Sequence, residues 1–359
     1  MKKLLFSVLL LLLISCFLVS CDNVDGIPDE SADVTENSSE ESSEESSEAP
    51  KQTETPATDF EYTVTEYNTI FINKYKGTDK HVVIPSHIDG IEVVVLFGVP
   101  DKYEKDWAVE GVFQNTDIET VVIPKTVVSI GYCAFDGCKN LSKVTIEEGS
   151  ELKTIDSAAF RNCIALEEVN FKDTKLNSIG DHSFRQCTSL KEIILPDTVT
   201  IIKARAFLDC TALAQINLSA ELAEVELFAF QNCTSLKTIT IPPKLRMVTF
   251  EGPAFYENTS LETIIFEEGR EEIAGYIFFA IDRSVEIVIP ASIKKISCAT
   301  FSVTTKTPRT PIKITFLGNC PEIVDNHEYL GDPTIYYDPA TDGWDECIWR
   351  DIYEFKEIE

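Results

Sequence analysis

Nine phenylalanines recur at nearly constant spacing: Phe113, Phe135, Phe160, Phe184, Phe207, Phe230, Phe255, Phe278 and Phe301, at intervals of 22, 25, 24, 23, 23, 25, 23 and 23 residues. A period in this range marks a chain of stacked supersecondary units, because a unit of that size cannot enclose a core by itself. Such a chain builds a long surface and seldom a deep pocket, which points to surface binding before catalysis.

The register around each phenylalanine repeats as well. Five residues earlier stands an apolar residue (Ile130, Ile155, Ile179, Ile202, Val225, Phe250, Ile273, Ile296), with Ala108 the exception in the first unit. Three residues later stands cysteine in five consecutive units: Cys138, Cys163, Cys187, Cys210 and Cys233. Leu141, Leu166, Leu190, Leu213, Leu236 and Leu261 follow at the sixth position, and pairs such as Val144/Ile146, Ile193/Leu195 and Ile239/Ile241 at the ninth and eleventh. Positions two apart share one face of a strand. Pro124, Pro196, Pro242 and Pro290 then end it by removing an amide donor. Apolar pairs such as Val127/Ile130 and Leu176/Ile179 predict a short second strand on the return path. Equivalent residues of neighbouring units would form continuous columns about 4.8 Å apart along the stack. Phe135, Phe160, Phe184, Phe207 and Phe230, with the five cysteines, are the expected core of those columns.

Residues 130–146 (IGYCAFDGCKNLSKVTI) and 179–195 (IGDHSFRQCTSLKEIIL), the opening stretch 75–93 (YKGTDKHVVIPSHIDGIEV) and the ending 314–344 with its FLGNCPEI and GW elements resemble the BspA-like leucine-rich-repeat family of bacterial surface proteins. The resemblance covers about residues 60–359. It implies a β-rich solenoid, a right-handed stack of about nine units of 22–25 residues with caps at both ends. It also implies adhesive or partner-binding roles at cell surfaces, and it carries no catalytic motif. The pattern departs near residues 98–107, 249–253 and 302–311, and around Phe278, where Ile281 and Ser284 replace the cysteine and leucine.

The start of the chain reads as an address. Lys2 and Lys3 precede an almost wholly apolar stretch at 4–13, too short for a membrane span, as in a secretion signal covering residues 1–20. Leu18-Val19-Ser20-Cys21 has the form of a lipobox, which makes Cys21 the expected acylation site, and residues 13–16, ending in Cys16, form a second possible one. Two or more acyl chains give a lasting anchor. Residues 21–59 read as a disordered acidic tether including SSEESSEESSE at 38–48, either a spacer or a solvating leader. A capping module at 60–107, the solenoid at 108–316 and a second cap at 317–359 complete the expected organisation. Net charge is −29. Residues 22–59 hold thirteen acids and one lysine and the leader two lysines, which leaves −19 on the rest. That balance argues against nucleic acid, whose binding rests on Lys and Arg, and against contact with anionic lipid other than through the anchor.

Eleven cysteines in an exported chain would ordinarily suggest disulfides. The register instead predicts a column of inward thiols, with occasional disulfides and a metal site as the alternatives. Cys133 is expected on a rung edge. Any disulfide is more to be expected among Cys298, Cys320 and Cys347, which lie outside the column. No zinc-protease, serine-hydrolase, phosphate-loop or C-x-x-C signature occurs, so neither catalysis nor a cofactor is expected. His182 reads as structural.

Alternation along each strand places one outward residue between the two inward ones. That row is Val122, Thr145, Asn170, Ile194, Asn217, Thr240, Ile265, Val288 and Thr315. Apolar members on a flat sheet mark a partner site or simply suit a strand. The expected partner is an extracellular or host protein. The rival is a glycan or nutrient captured by the loop at 98–107 or by terminal aromatics such as Trp344, which otherwise close the core.

Overall fold

The computed structural model describes residues 53–97, 99–100, 109–246, 254–255, 257–273, 285–297, 312–324 and 333–358. Cys16 and Cys21, the leader, most of the tether, Phe250, Phe278, Phe301, Cys298 and the departures at 249–253 and 302–311 lie outside the described residues. Of the loop at 98–107, only the backbone of Val99–Pro100 is described, paired antiparallel with Val109–Glu110.

The repeat folds as a stack of short parallel strands. The strands after Leu141, Leu166, Leu190 and Leu213 form one ladder with two earlier ones, in the order His81–Val83, Thr120–Ile123, Lys143–Ile146, Glu168–Asn170, Glu192–Ile194 and Gln215–Ile216. A second six-stranded sheet continues with Thr238–Ile241, Thr263–Phe266, Glu286–Ile289, Lys313–Phe316, Thr334–Tyr337 and Glu354–Glu357. The predicted return strands are there too. Ile91–Leu96, Ser129–Ile130, Thr154–Ile155, Ser178–Ile179, Ile201–Ile202 and Glu224–Val225 pair in register, as do Glu272–Ile273, Lys295–Ser297 and Glu322–Val324. The one helix among the described residues is a single 3-10 turn, Ala57–Asp59.

The core is a pile of parallel rings. Successive centroids from Phe113 to Phe255 lie 4.9, 5.0, 5.1, 5.3, 5.2 and 5.2 Å apart, with interplanar angles of 11° or less. Every ring is buried. The offset stack is a favourable arrangement for aromatic pairs, worth about 0.5–1.5 kcal/mol each beyond area burial.

The phenylalanines sit on a third hydrogen-bonded ladder that the sequence did not announce. In the rungs of Phe135 to Phe230 the residues two before and two after the Phe have positive φ, among them Ala158 and Asn162, His182 and Gln186, Arg205 and Asp209, Phe228 and Asn232. This turn conformation aims alternate amides at the next rung. Ala158 N–H donates to Asp181 O (2.8 Å), Phe160 to Ser183 O (2.7 Å) and Asn162 to Arg185 O (2.8 Å), and the next units repeat the scheme. The trailing position is occupied by residues that tolerate left-handed backbone, such as Asn162 and Asn232. The leading one holds Ala158, His182, Arg205 and Phe228, which the ladder must hold there.

The cysteines line the same side. Each thiol donates to the Phe carbonyl one rung back: Cys138 to Phe113 O (2.9 Å), Cys163 to Phe135 O, Cys187 to Phe160 O and Cys210 to Phe184 O (3.1 Å each), and Cys233 to Phe207 O (3.3 Å). Each of these carbonyls already accepts the amide three residues on, as Phe160 O does from Cys163 N–H (3.2 Å), so the thiol of the next rung is a further donor to the same oxygen and the sulfur fills the space as a small apolar group. Burial pushes the thiols up, Cys138 to about 11 and the deeper ones further. We expect native protein to react with iodoacetamide at these five positions about 100-fold more slowly than denatured protein, read by mass spectrometry. Equal rates would mean the column opens freely. Cys133 is also buried, 3 % exposed, and not at an open rung edge, because its backbone takes the left-handed turn toward Ser157 O.

Both ends prolong the stack instead of merely covering it. Ile70–Tyr75 and Ile91–Leu96 extend the return sheet, closed by the antiparallel Phe60–Val64. Residues 53–59, assigned by composition to the tether, are partly built into this end. Thr55 is buried and accepts the Val83 amide (3.0 Å) while donating to Val83 O (2.8 Å), and Glu54 accepts from Ser86. At the other end Trp344 and Trp349 are buried against Phe316.

Candidate binding face

The outward row stands where alternation places it, with corrections. Register pairs join Val122 to Thr145 and Asn170 to Ile194, and then Thr240, Ile265, Val288 and Thr315 in succession. Thr145, Asn170 and Asn217 are exposed, whereas Val122, Ile194, Thr240, Ile265 and Val288 are half-buried by their neighbours on the sheet. Thr315 is not part of an open surface. It is 8 % exposed, packed between strands and donating to Glu286 (3.2 Å).

The two asparagines are engaged by backbone. Asn170 Oδ1 accepts the Lys172 amide (2.9 Å), an Asx turn that ends its strand. Asn217 turns back on the previous rung, its Oδ1 accepting from Leu195 N (3.2 Å) and its Nδ2 donating to Leu195 O (3.1 Å). There the strand is only two residues long, Gln215–Ile216, and it does not pair with Thr238–Ile241. The sheet is interrupted at this point although the rings of Phe207 and Phe230 keep their 5.2 Å spacing behind it. A groove of about 660 Å³ opens at the interruption, lined by Ile194, Ile216, Asn217, Lys237 and Thr238 among others.

Beyond Thr315 the row continues into residues that sequence reading assigned to the cap. Thr315 pairs with Tyr336 and Tyr336 with Lys356, and the ammonium groups of Lys313 and Lys356 lie 4.7 and 5.9 Å from the Tyr336 ring centre. The alternation in Thr334–Tyr337 was the available signal. Exposed Lys–Glu pairs flank the face, among them Lys191–Glu167 and Lys313–Glu286 at 2.7 Å and Lys237–Glu262 at 3.7 Å. In solvent such pairs contribute little to stability.

A family model for the BspA type leucine rich repeat region matches residues 109–222 and 177–308, with six copies of the repeat. The chain belongs to the BspA-type leucine-rich-repeat family. Solved structures similar to this BspA-type chain include a leucine-rich cell surface protein of Faecalibacterium prausnitzii. That protein shows 21 % identity over 85 % of this chain and 95 % of its own, with a TM-score of 0.41. A Treponema pallidum leucine-rich-repeat protein shows 23 % identity over 74 % and 86 %, with a TM-score of 0.33. The pneumococcal vaccine antigen PcpA shows 13 % identity over 84 % and 96 %, with a TM-score of 0.36. No curated protein matches the chain.

Among the described residues no group of three or more His, Cys, Asp or Glu side chains is placed to hold a metal ion, and no helix is long and apolar enough to cross a membrane. On the phenylalanine side, the buried Asp136 carboxylate takes a bidentate pair from Arg161 (2.9 and 2.6 Å) and further bonds from Asn162 and Gln114. His182 sits on the same side, its Nδ1 buried without a hydrogen bond. Burial, aided by Arg185, Arg205 and Arg161, lowers its pKa against the opposing pull of Asp181. A histidine whose folded pKa lies below the unfolded value of about 6.5 adds stability that is present above that pH and is lost as pH falls through it. We expect the urea midpoint of the wild type to fall further than that of His182→Gln between about pH 7.5 and pH 5.5. Parallel pH profiles would contradict the assignment.

Proposed function

We propose that this chain is a lipid-anchored surface protein that uses the outward row of its strands to bind a macromolecular partner, an extracellular or host protein, without catalysis. The observation that carries the reading is the run Thr240–Ile265–Val288. Three register-paired residues on adjacent strands lie half-open to solvent on the sheet face of an acidic repeat protein. Apolar side chains collected on a flat, solvated sheet suit a partner surface. The family supports a surface role, and the Leu18–Cys21 sequence supports acylation at Cys21.

Capture of a glycan through Trp344 is disfavoured, because that indole is 3 % exposed and bonded to Gly318 O and Thr341 Oγ. The test immobilises residues 53–359 and challenges them with extracellular-matrix proteins and a glycan array. Ile194→Lys with Ile265→Lys is expected to weaken protein binding at least about tenfold, since charged groups placed in an apolar contact lose their solvation. Unchanged protein binding in that variant, or binding of glycans alone, would sink the proposal.

A further inference from the structure

Of the cysteines outside the column, two meet in the C-terminal cap. The Cys320 amide donates to Asp342 O (2.9 Å), which brings the segment just ahead of the Glu322–Val324 strand against the closing turn. The next residue, Gly343, has φ +84, and a Cβ built there would lie 3.4 Å from the Cβ of Cys320. The turn then doubles back, Cys347 N–H donating to Trp344 O (3.3 Å), which places the Cys347 thiol beside that of Cys320, close enough for the two to perturb each other's titration. Cys347 is buried and Cys320 half-buried, packed on the same hydrophobic core. The column thiols each donate to a Phe carbonyl one rung back at 2.9–3.3 Å, whereas the Cys320 thiol reaches only its own neighbour's carbonyl, Pro321 O, at 3.7 Å.

We propose that Cys320 and Cys347 form a disulfide that fastens the closing turn to the segment leading into the return strand Glu322–Val324. The bond needs an electron acceptor, a small-molecule or protein disulfide of the kind met outside the cytoplasm, so its formation in the cell rests on the export reading above. The adjoining Cys320 thiol, the Trp349 backbone amide and the Arg350 charge lower the Cys347 pKa to about 7 against burial. Cys347 is therefore the attacking thiolate. Its sulfur bonds to one sulfur of the donor, the donor S–S breaks, and one donor thiolate leaves. Cys320 then gives its proton to solvent and attacks the Cys347 sulfur, displacing the second donor thiolate. Two protein thiols are oxidised and one donor disulfide is reduced to two thiols.

The test separates the pair from the compartment. Full-length protein, purified reduced, is equilibrated in a glutathione disulfide–thiol buffer set at an extracytoplasmic ratio, denatured in alkylating reagent and digested. The peptides holding Cys320 and Cys347 are expected as one linked species, lighter by two hydrogens than the pair and split by reduction. The column cysteines are expected to be fully alkylated. Cys320→Ser is expected to trap Cys347 as a glutathione mixed disulfide, several-fold faster than Cys347→Ser traps Cys320. Alkylation of both residues in the wild type, or linkage of either to Cys298, would overturn the proposal, and the reverse trapping order would overturn the role given to Cys347. Linkage in buffer with free thiols in protein taken from cells would leave the pair standing and overturn its formation in the cell.

Discussion

Phe184→Ala is expected to lower stability by about 3–5 kcal/mol, the usual range for deleting a fully buried aromatic. The ring has no exposed surface, lies 5.1 Å from Phe160 and 5.3 Å from Phe207, and takes the edge of Phe171 at 6.3 Å. Both neighbours lose a stacking partner at once, and a void in mid-column cannot collapse without pulling the hydrogen-bonded rungs out of register. In a stack where each rung touches only its neighbours, this also weakens the coupling between the two halves. Urea unfolding should show an earlier midpoint with a smaller slope, as the halves begin to unfold separately. A loss below about 1 kcal/mol with an unchanged slope would mean that the column is not the source of cooperativity.

Trp344→Ala is expected to cost a similar amount, about 3–5 kcal/mol, but at one end. The indole packs 5.1 Å from Phe316 and 5.3 Å from Tyr337, and its N–H bonds to Gly318 O (3.2 Å) and Thr341 Oγ (2.9 Å). Arg350 completes the cap, lying over Tyr337 and Phe355 and donating to Trp344 O (3.0 Å). Without the indole the last strands lose their cover. Hydrogen exchange should quicken in Lys313–Phe316 and Thr334–Tyr337 while the rungs around Phe184 keep their protection. Uniform acceleration along the chain would show instead that the stack unfolds as one unit.

The ring column, the cysteine column and both strands of each rung were legible because the same burial requirement is written several times over, so that Phe135, Phe160 and Phe184 corroborate one another. What was not legible depends on how one rung meets the next. The left-handed turns fall on His182, Arg205 and Phe228, residue types that give no hint of positive φ, because rung-to-rung hydrogen bonds hold them there. The interruption beside Asn217 was hidden because an asparagine in a strand row looks like any outward polar residue. Only the backbone of Leu195 shows where its amide goes. Thr315 was misjudged for a related reason: alternation gives the direction of a side chain and not the height of its neighbours Glu286 and Tyr336.

The cysteine column has a consequence for life in corrosive surroundings. Peroxide attacks thiolates that water can reach, and soft metals seek the same atoms. A row of five sulfurs one rung apart would be an inviting target. Here each proton is held by a carbonyl and no thiol surface is exposed. The molecule can thus carry sulfur along its length and remain chemically quiet, free to spread its reactive side chains over the surface where contacts are made.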